Sequence, residues 1–314
     1  MILDLFRKVY KYYIFGPIKA HRLFNKLTKQ KNNDEAYLIA SYQIGDIIYS
    51  FAYVNALCER LKGKGKRLVV YLADNRKDFL SLYDFDFEVR YWNHNDSNMM
   101  VSVQMLNFLP RYVLKGIKND IYTAIAPAML KDQISNKRDC LSIIKEDMFF
   151  VPNARIDYPH FPDNPVMSIP DLDATKDRIA VINQYSNALK DRLDVFDEIS
   201  EYLVDKGYVV YSNVVKGQIP AKGSKPLNCS IFEFYNICNQ IPLVVSIRSG
   251  IIDLAISANT RFFVIYPERR LHDGFFNIYT LKAWQTNNVI EEAIHVNNES
   301  TMNQFVSFVN LNNL

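Results

Sequence analysis

The sequence predicts an α/β fold made of two doubly wound domains, and three observations support this. Apolar runs of strand length alternate with segments of helical spacing along nearly the whole chain, which is typical of parallel sheets with helices on both faces. The alternation stops at residues 151–177, which are rich in proline, and restarts behind them. A length of 314 residues exceeds what one small core needs.

These observations divide the chain into four predicted segments. A basic amphipathic arm, residues 1–33, precedes a Rossmann-like domain at 34–155 and a second Rossmann-like domain at 156–299. The last segment, 300–314, is a helix whose expected packing partner is the first domain. We expect the two domains to face a cleft, because ligands of such sheets bind at the carboxyl ends of the strands.

The predicted elements of the first domain are strands with helical segments between them. The strands span residues 35–42, 67–73, 87–92 and 119–126. The helical segments span residues 47–66, 78–85 and 99–114, the last with a break at Pro110.

The second domain repeats this order. Its predicted strands span residues 178–184, 208–214, 243–247 and 261–266, and its helices span 194–207, 230–240, 249–258 and 300–314. Gly207 is expected in a left-handed C-cap, Ser230 and Glu233 in a capping box, and Ser300 at the start of the last helix.

The N-terminal arm concentrates positive charge. It holds eight lysines and arginines against one aspartate, whereas the whole chain has a net charge of +3. Its cations interrupt any apolar run, so it is not expected to be a secretory signal, and no segment reaches the roughly 18 apolar residues of a membrane span. Two interpretations stay open: peripheral contact with an anionic membrane, or a helix that packs its apolar stripe on the body. A nucleic-acid partner is not expected, because no basic stripe continues the arm.

Cysteine and histidine usage argues against a metal site. The composition is that of a soluble globular protein, and the four cysteines form no C-x-x-C pair, so we expect free thiols in the cytoplasm. The five histidines are scattered and show no metal-ligand spacing.

Three strand ends carry candidate functional residues, and the first follows the strand at 35–42. Gly45 allows a sharp turn there, and Asp46 lies at the helix start. Asp46 is either a general base facing the cleft or a first-turn acid stabilised by the helix dipole.

The second candidate is the polar loop 183–194. Lys190 and Arg192 are expected to reach a phosphate, and arginine is the better bidentate donor. The alternative is an ordinary polar loop. The loop's remaining candidates, suited to a polyoxygenated ligand, are Tyr185, Ser186 and Asn187.

The third candidate is the end of the strand at 243–247. Arg248 supplies a fork of donors, Ser249 can donate or cap, and Gly250 lets a ligand approach the amides of a helix start. Asp253 is expected to accept from a sugar hydroxyl. The alternative role for Arg248 is an ion pair with an acid across the cleft.

Familiar nucleotide motifs are absent from the sequence. It contains no G-x-x-x-x-G-K-[ST], no G-x-G-x-x-G after an early strand and no G-x-S-x-G. The anion site is therefore expected to hold a ligand's diphosphate, without a metal or other cofactor.

The order of these motifs resembles that of bacterial heptosyltransferase-type glycosyltransferases of the GT-B fold. The resemblance runs from residue 178 to 267 through "INQYSNALKDR" and "SIFEFYNICNQIPLVVSIRSGIIDLA", and "IGDIIYSFAYVNAL" is similar to that family's opening motif. It implies that Asp46 is the base and that Glu233 belongs to the donor site. Arg-Ser-Gly-x-x-Asp at 248–253 replaces the family's Asp-Thr-Gly-x-x-His. An arginine at this position resembles instead the fucosyltransferases with a His-x-Arg-Arg motif, in which it binds the donor diphosphate.

The resemblance implies an inverting, metal-independent transferase of hexosyl or heptosyl type. It would move a sugar from a nucleotide-sugar to a bacterial surface glycan or glycolipid of the capsule, O-antigen or lipooligosaccharide kind, at the inner face of the cytoplasmic membrane. Two alternatives stay open: a fucosyltransferase-like enzyme that uses a GDP-sugar, and a non-catalytic subunit of a glycan assembly complex.

Overall fold

In a computed structural model the chain divides into two compact units, residues 1–160 and 161–314. The described residues are 10–40, 43–123, 138–160, 178–186, 192–267 and 275–314. Each unit contains one parallel sheet with helices, so the predicted α/β class with two sheet-based halves is confirmed.

The sheet of the first unit has the strand order β3-β2-β1-β4. Its strands are β1 (Glu35–Ile39), β2 (Arg67–Ala73), β3 (Glu88–Trp92) and β4 (Ile121–Thr123). Its helices are α1 (Gly16–Gln30), α2 (Ile44–Phe51), α3 (Val54–Lys62), α4 (Ser97–Phe108), α5 (Pro110–Lys118) and α6 (Cys140–Ile143). Short π-helical turns occur at Tyr10–Phe15 and Ile144–Met148.

The sheet of the second unit has the strand order β10-β9-β8-β5-β6-β7. Its strands are β5 (Ile179–Asn183), β6 (Val209–Asn213), β7 (Lys225–Leu227), β8 (Leu243–Ile247), β9 (Arg261–Pro267) and β10 (Ile290–His295). Its helices are α7 (Val195–Asp205), α8 (Ile231–Cys238), α9 (Gly250–Ala255), α10 (Phe275–Ile278) and α11 (Asn298–Leu311).

Two helical predictions in the first unit need correction. The segment 47–66 is not one helix, because Tyr53 leaves the helical conformation between α2 and α3. There the Asp157 N–H donates to the Ala52 carbonyl (2.7 Å), and the Asp157 carboxylate accepts from the Asn55 N–H (3.0 Å). The segment 78–85 is a 3₁₀ helix, Asp74–Leu82.

Strands β7 and β10 were missed by the sequence prediction. β7 is a three-residue edge strand with Pro226 at its centre, a position that proline tolerates because an edge needs fewer backbone donors. β10 contains two glutamates in its sequence IEEAIH, and Glu292 is nevertheless buried.

Helix α1 packs its apolar stripe against the first unit. Leu23, Phe24 and Leu27 are buried in a cluster with Tyr37 of β1 and Val101 of α4. This is the second of the two interpretations of the arm: a helix that packs its apolar stripe on the body. It holds for α1, which forms part of the core of the first unit. Residues 1–9 lie outside the described part of the chain.

The last helix packs on the second unit, which corrects the expectation that it returns to the first. Phe305 of α11 lies 5.0 Å from Phe263 of β9, measured between ring centroids, and both are fully buried. Asn297, not Ser300, caps the helix, because its side chain accepts from the Ser300 N–H (2.8 Å). Gly207 has a φ of 83° behind α7, as predicted.

The linker prediction is only partly covered by the structure. Residues 151–160 form no helix or strand, and residues 161–177 lie outside the described part. The predicted strand ends at residues 41–42 and 124–126 also lie outside it.

A buried carboxylate ties together the amino ends of β1, β2 and β3. Glu35 is fully buried and pairs with Arg67 and with Arg90 Nη2 (2.7 Å), while the Tyr37 hydroxyl donates to it (2.9 Å). Burial raises the carboxyl pKa, but hydrogen bonds from Arg90, Asn32 N–H and Tyr37 outweigh it and hold the pKa at about 2. The ionised network therefore stabilises this edge of the sheet.

Replacing Glu35 by glutamine is expected to lower the free energy of unfolding at neutral pH by about 2 kcal/mol, because two arginines lose their shared carboxylate. The pKa of Glu35, about 2, lies below the ordinary value of 4.5. The contribution of the carboxylate to the free energy of unfolding is therefore complete above pH 4.5 and is lost as the pH falls toward 2. Urea unfolding at neutral pH and at about pH 3 should show a smaller difference at the lower pH.

The matched control for this prediction is Glu59→Gln, whose side chain is 73% exposed. We expect it to change the free energy of unfolding by less than about 0.5 kcal/mol at either pH. An effect of Glu35→Gln that does not depend on pH would contradict the ionic role.

Candidate functional site

The candidate site lies at the carboxyl edge of the second sheet, where the strand order reverses. The chain runs outward from β5 through β6 to β7, returns to β8 on the other side of β5, and continues to β9 and β10. The carboxyl ends of β5 and β8 are therefore a topological switch point, the usual place for ligands in open α/β sheets. The predicted residues around 184 and 248 follow these two strands.

A row of uncharged polar side chains crosses this edge. Asn183 Nδ2 donates to Ser246 Oγ (3.0 Å) and to Ser249 Oγ (3.3 Å), and Asn213 Nδ2 donates to Asn183 Oδ1 (3.2 Å). Cys229 Sγ donates to Asn213 Oδ1 (3.4 Å). These hydrogen bonds join the carboxyl ends of β8, β5 and β6. They hold uncharged donors and acceptors side by side across the edge of the sheet.

The Cys229 thiol belongs to this row as a neutral donor. Burial raises its pKa to about 12, and the charge of Glu233 adds to the effect. The thiol is therefore protonated at neutral pH and is no activated nucleophile.

Arg248 is buried beside the switch point and is part of an ion pair. Its Nη1 and Nη2 donate to the two carboxylate oxygens of Asp253, at 2.9 and 2.6 Å. Nε donates to the Tyr279 carbonyl (3.1 Å) and Nη1 to the Ser249 carbonyl (2.8 Å). The ion pair foreseen as the alternative for Arg248 thus exists, but with an acid of its own unit.

Asp253 is 2% exposed at its side chain, and both of its oxygens face Arg248. The expected contact with a sugar hydroxyl therefore needs a rearrangement of this pair. The binding roles assigned to Arg248 and Asp253 stay predictions.

Ser249 and Gly250 form the start of α9 and are half-buried. Ser249 is extended and makes no side-chain capping bond, because its Oγ faces Asn183 instead. The first amides of α9 therefore lie beside the polar row.

Sequence reasoning missed a second buried carboxylate next to this pair. Glu292 of β10 accepts from the Tyr266 hydroxyl (2.6 Å), Thr280 Oγ1 (2.6 Å) and the Leu281 N–H (2.7 Å). Tyr266 also lies 2.9 Å from the Tyr279 carbonyl that Arg248 holds, and burial raises the pKa of its hydroxyl well above the ordinary value. Arg248 and Glu292 together fix residues 279–281.

The loop after β5 is tied to the loop after β6. Gln184 Nε2 donates to the Ile219 carbonyl (2.7 Å), and the Tyr185 hydroxyl bonds both the carbonyl (3.1 Å) and the N–H (3.2 Å) of Ile219. Arg192 Nε donates to Gln184 Oε1 (2.9 Å), and Arg192 pairs with Asp197. Tyr185 and Arg192 thus have structural partners in this unit.

The other predicted members of this loop are covered only in part. Ser186 is half-buried at the end of the described segment. Asn187 and Lys190 lie outside the described residues. Glu233 accepts from the Ser230 N–H while Ser230 Oγ accepts from the Glu233 N–H (3.2 Å), so the predicted capping box is confirmed.

Gly45 and Asp46 lie in the first turn of α2, which follows β1 at the switch point between β1 and β4. Both are half-buried, and the Asp46 carbonyl accepts from Ser50 Oγ (2.5 Å). This is the helix-start position that the sequence predicted. The catalytic role of Asp46 stays a prediction.

Neither a metal cluster nor a membrane span is found in the described part of the chain. No three His, Cys, Asp or Glu side chains there are grouped as metal ligands would be. None of the described helices has the length and apolar character needed to cross a bilayer.

Solved glycosyltransferases have a similar fold. A glycosyl transferase family 9 structure from Veillonella parvula has a TM-score of 0.52 and 11% identity, over 88% of this chain and 92% of that chain. The ADP-heptose lps heptosyltransferase II of E. coli has a TM-score of 0.50 and 11% identity, over 89% of this chain and 100% of that chain. No protein-family model and no curated protein matches the chain. The resemblance to the heptosyltransferase type of the GT-B fold is therefore confirmed at the level of the fold.

Proposed function

We propose that the protein is a glycosyltransferase that uses a nucleotide-sugar. The observation that carries this proposal is the switch point of the second sheet, where the polar row and the first amides of α9 meet. A nucleotide-sugar offers hydroxyls and a diphosphate, and these match neutral hydrogen-bond partners and backbone N–H groups respectively. The similarity of the fold to solved glycosyltransferases supports the same conclusion.

The donor would leave its diphosphate at the start of α9. The backbone N–H groups at Ser249 and Gly250 are proposed to stabilise the charge that develops on the leaving group, with Lys190 as a further cation. Arg192 would join them only by giving up its pair with Asp197. This mechanism needs no metal as the counter-charge. The neutral row around Asn183 is proposed to meet the hydroxyls of the donor.

Arg248 has two proposed modes of action at this site. In the first it binds the diphosphate directly, which requires it to give up Asp253. In the second it is a positioning residue that holds the Ser249 and Tyr279 carbonyls and so shapes the start of α9. We favour the second mode, because binding the diphosphate directly would break both hydrogen bonds from Arg248 to the buried Asp253 carboxylate.

Asp46 is the proposed general base. It would take the proton from the acceptor hydroxyl as that oxygen attacks the anomeric carbon and the bond to the diphosphate breaks. Direct displacement of this kind inverts the anomeric centre. The half-buried position at a helix start supports the assignment, because it leaves the residue accessible to an acceptor.

The acceptor is proposed to be a bacterial surface glycan or a lipid-linked glycan at the inner face of the cytoplasmic membrane. One solved structure with this fold is named an ADP-heptose lps heptosyltransferase, which supports a nucleotide-sugar donor and a lipopolysaccharide-type acceptor. The arginine in place of an acid at position 248 keeps a GDP-sugar as the alternative donor.

A nucleotide panel tests the proposed function. One of UDP, GDP, ADP, CMP and dTDP is expected to raise the melting temperature, since a ligand at a hundred times its Kd stabilises the folded state by about 2.7 kcal/mol. The sugar nucleotide with that base should then support transfer to a lipid-linked acceptor. A shift with GDP alone would favour the fucosyltransferase-like alternative, and a shift only with magnesium would contradict metal independence. No shift with any nucleotide would contradict the function and favour the non-catalytic subunit.

A double-mutant cycle separates the two modes of Arg248. If Arg248 positions α9, Arg248→Gln and Asp253→Asn should each lower the free energy of unfolding by about 3 kcal/mol and weaken nucleotide binding, and the double variant should recover part of both losses. The measurements are urea unfolding and titration with the nucleotide identified above. If Asp253→Asn binds the nucleotide as well as the parent does and Arg248→Gln does not bind it, Arg248 contacts the diphosphate directly.

Replacing Asp46 by asparagine should lower the transfer rate by about 10²- to 10⁴-fold and leave nucleotide binding unchanged, because only proton removal from the acceptor is lost. Asp84→Asn, an exposed aspartate of the same unit, is the control and should keep the parental rate. Lost nucleotide binding in Asp46→Asn would assign Asp46 to the donor instead.

A further inference from the structure

We propose that helices α1, α4 and α5 of the first unit form a docking face for an anionic lipid bilayer. We call this surface the cationic face. The proposal does not depend on the proposed function, because it rests on charges and exposed side chains that take no part in the proposed site. The sequence suggested membrane contact through a basic arm at residues 1–33. The surface proposed here is instead formed by helices that pack on the sheet of the first unit.

The charge of these three helices is one-sided. They contain no aspartate or glutamate, and α4 has no charged residue at all. Their seven cations are Lys19, Arg22, Lys26 and Lys29 on α1, and Arg111, Lys115 and Lys118 on α5.

The cations lie on the outer sides of α1 and α5. On α1, Ile18, Arg22 and Lys26 follow one another at intervals of one helical turn and are exposed, whereas the stripe around Phe24 is buried. On α5, the exposed positions 111, 114, 115 and 118 form the stripe opposite buried Tyr112 and Val113. Each helix thus turns a basic stripe to solvent.

Aromatic contacts join the two stripes into one surface. The Tyr112 ring of α5 lies 5.8 Å from the Phe24 ring and 6.2 Å from the His21 ring of α1, measured between centroids. The Arg111 guanidinium lies over Tyr112 (4.9 Å) and Lys115 Nζ over Phe24 (5.0 Å). The cations of α5 therefore stand directly over the seam with α1.

The described part of the unit does not neutralise these positive charges. Among the residues that the structure describes, none of the seven takes part in an ion pair. The neighbouring acids are engaged elsewhere, because Asp96 caps α4 and Asp120 pairs with Lys66. The cationic face is therefore complementary to a negatively charged partner.

Exposed apolar side chains among the cations identify this partner as a bilayer. Tyr13 and Ile14, in the π-helical turn that precedes α1, are 78% and 51% exposed, Ile18 of α1 is 49% exposed, and Leu114 of α5 is 53% exposed. A soluble polyanion offers no apolar region in which such side chains can be buried. In a bilayer, they can be buried at the boundary between headgroups and acyl chains, and the anionic headgroups can pair with the cations.

Flotation with vesicles tests the proposal. The full chain should bind vesicles of phosphatidylcholine that contain about 30% phosphatidylglycerol, and bind pure phosphatidylcholine at least tenfold more weakly. The triple variant Arg111→Gln, Lys115→Gln, Lys118→Gln should lose about a hundredfold of its affinity for the anionic vesicles, since each surface cation contributes several-fold. Its melting temperature is measured in parallel, and its nucleotide binding should equal that of the parent.

A matched control removes three exposed cations elsewhere: Lys64→Gln, Lys206→Gln, Lys225→Gln. Two of these also lie over tyrosine rings, Lys206 over Tyr202 and Lys225 over Tyr211, so the control reproduces the lost ring contacts. It should retain vesicle binding within about twofold. Equal losses in both triple variants, or equal binding to neutral and anionic vesicles, would overturn the proposal.

A second variant, Ile18→Ser with Leu114→Ser, distinguishes a bilayer from a soluble polyanion. Both side chains are about half exposed, so the fold should survive. Vesicle binding should fall about tenfold, whereas retention on immobilised heparin should not change. Unchanged vesicle binding in this variant would overturn the bilayer as the partner and point to a soluble polyanion.

Discussion

Burial of the Arg248–Asp253 ion pair is the constraint on which the carboxyl edge of the second sheet depends. The two side chains are 4% and 2% exposed, and a buried charge is tolerated only with a partner and satisfied hydrogen bonds. Arg248 also holds the Tyr279 carbonyl, which lies within reach of Tyr266. The hydroxyl of Tyr266 continues the network to Glu292. The turn before α9 and the segment before β10 are therefore held by one hydrogen-bonded network.

Features set by local sequence could be predicted. Strands β5, β8 and β9 are continuous apolar runs because helices or loops cover both faces of a parallel sheet, and their burial is nearly complete. The capping box at Ser230 and the left-handed Gly207 depend on residues within one helical turn. The position of Asp46 at a helix start likewise follows from neighbouring residues.

Features set by distant partners could not be predicted. Asp157, 102 residues from Asn55, completes the start of α3, and no local signal marks the break at Tyr53. Glu292 made β10 look unlike a buried strand, because its partners at 266, 280 and 281 are supplied by the fold. The pairing of Arg248 was within reach of the sequence, since Asp253 lies five residues on, in the first turn of the helix that Arg248 precedes.

The buried pair also limits which residues positions 248 and 253 can hold. The resembled motif has an acid at the first position and a histidine five residues later, whereas this chain has a base first and an acid second. Changing Arg248 alone to aspartate would remove the guanidinium that now compensates Asp253 and would place two carboxylates side by side in the interior. The residues at positions 248 and 253 therefore constrain each other, and a change at one is best tolerated when the other changes with it.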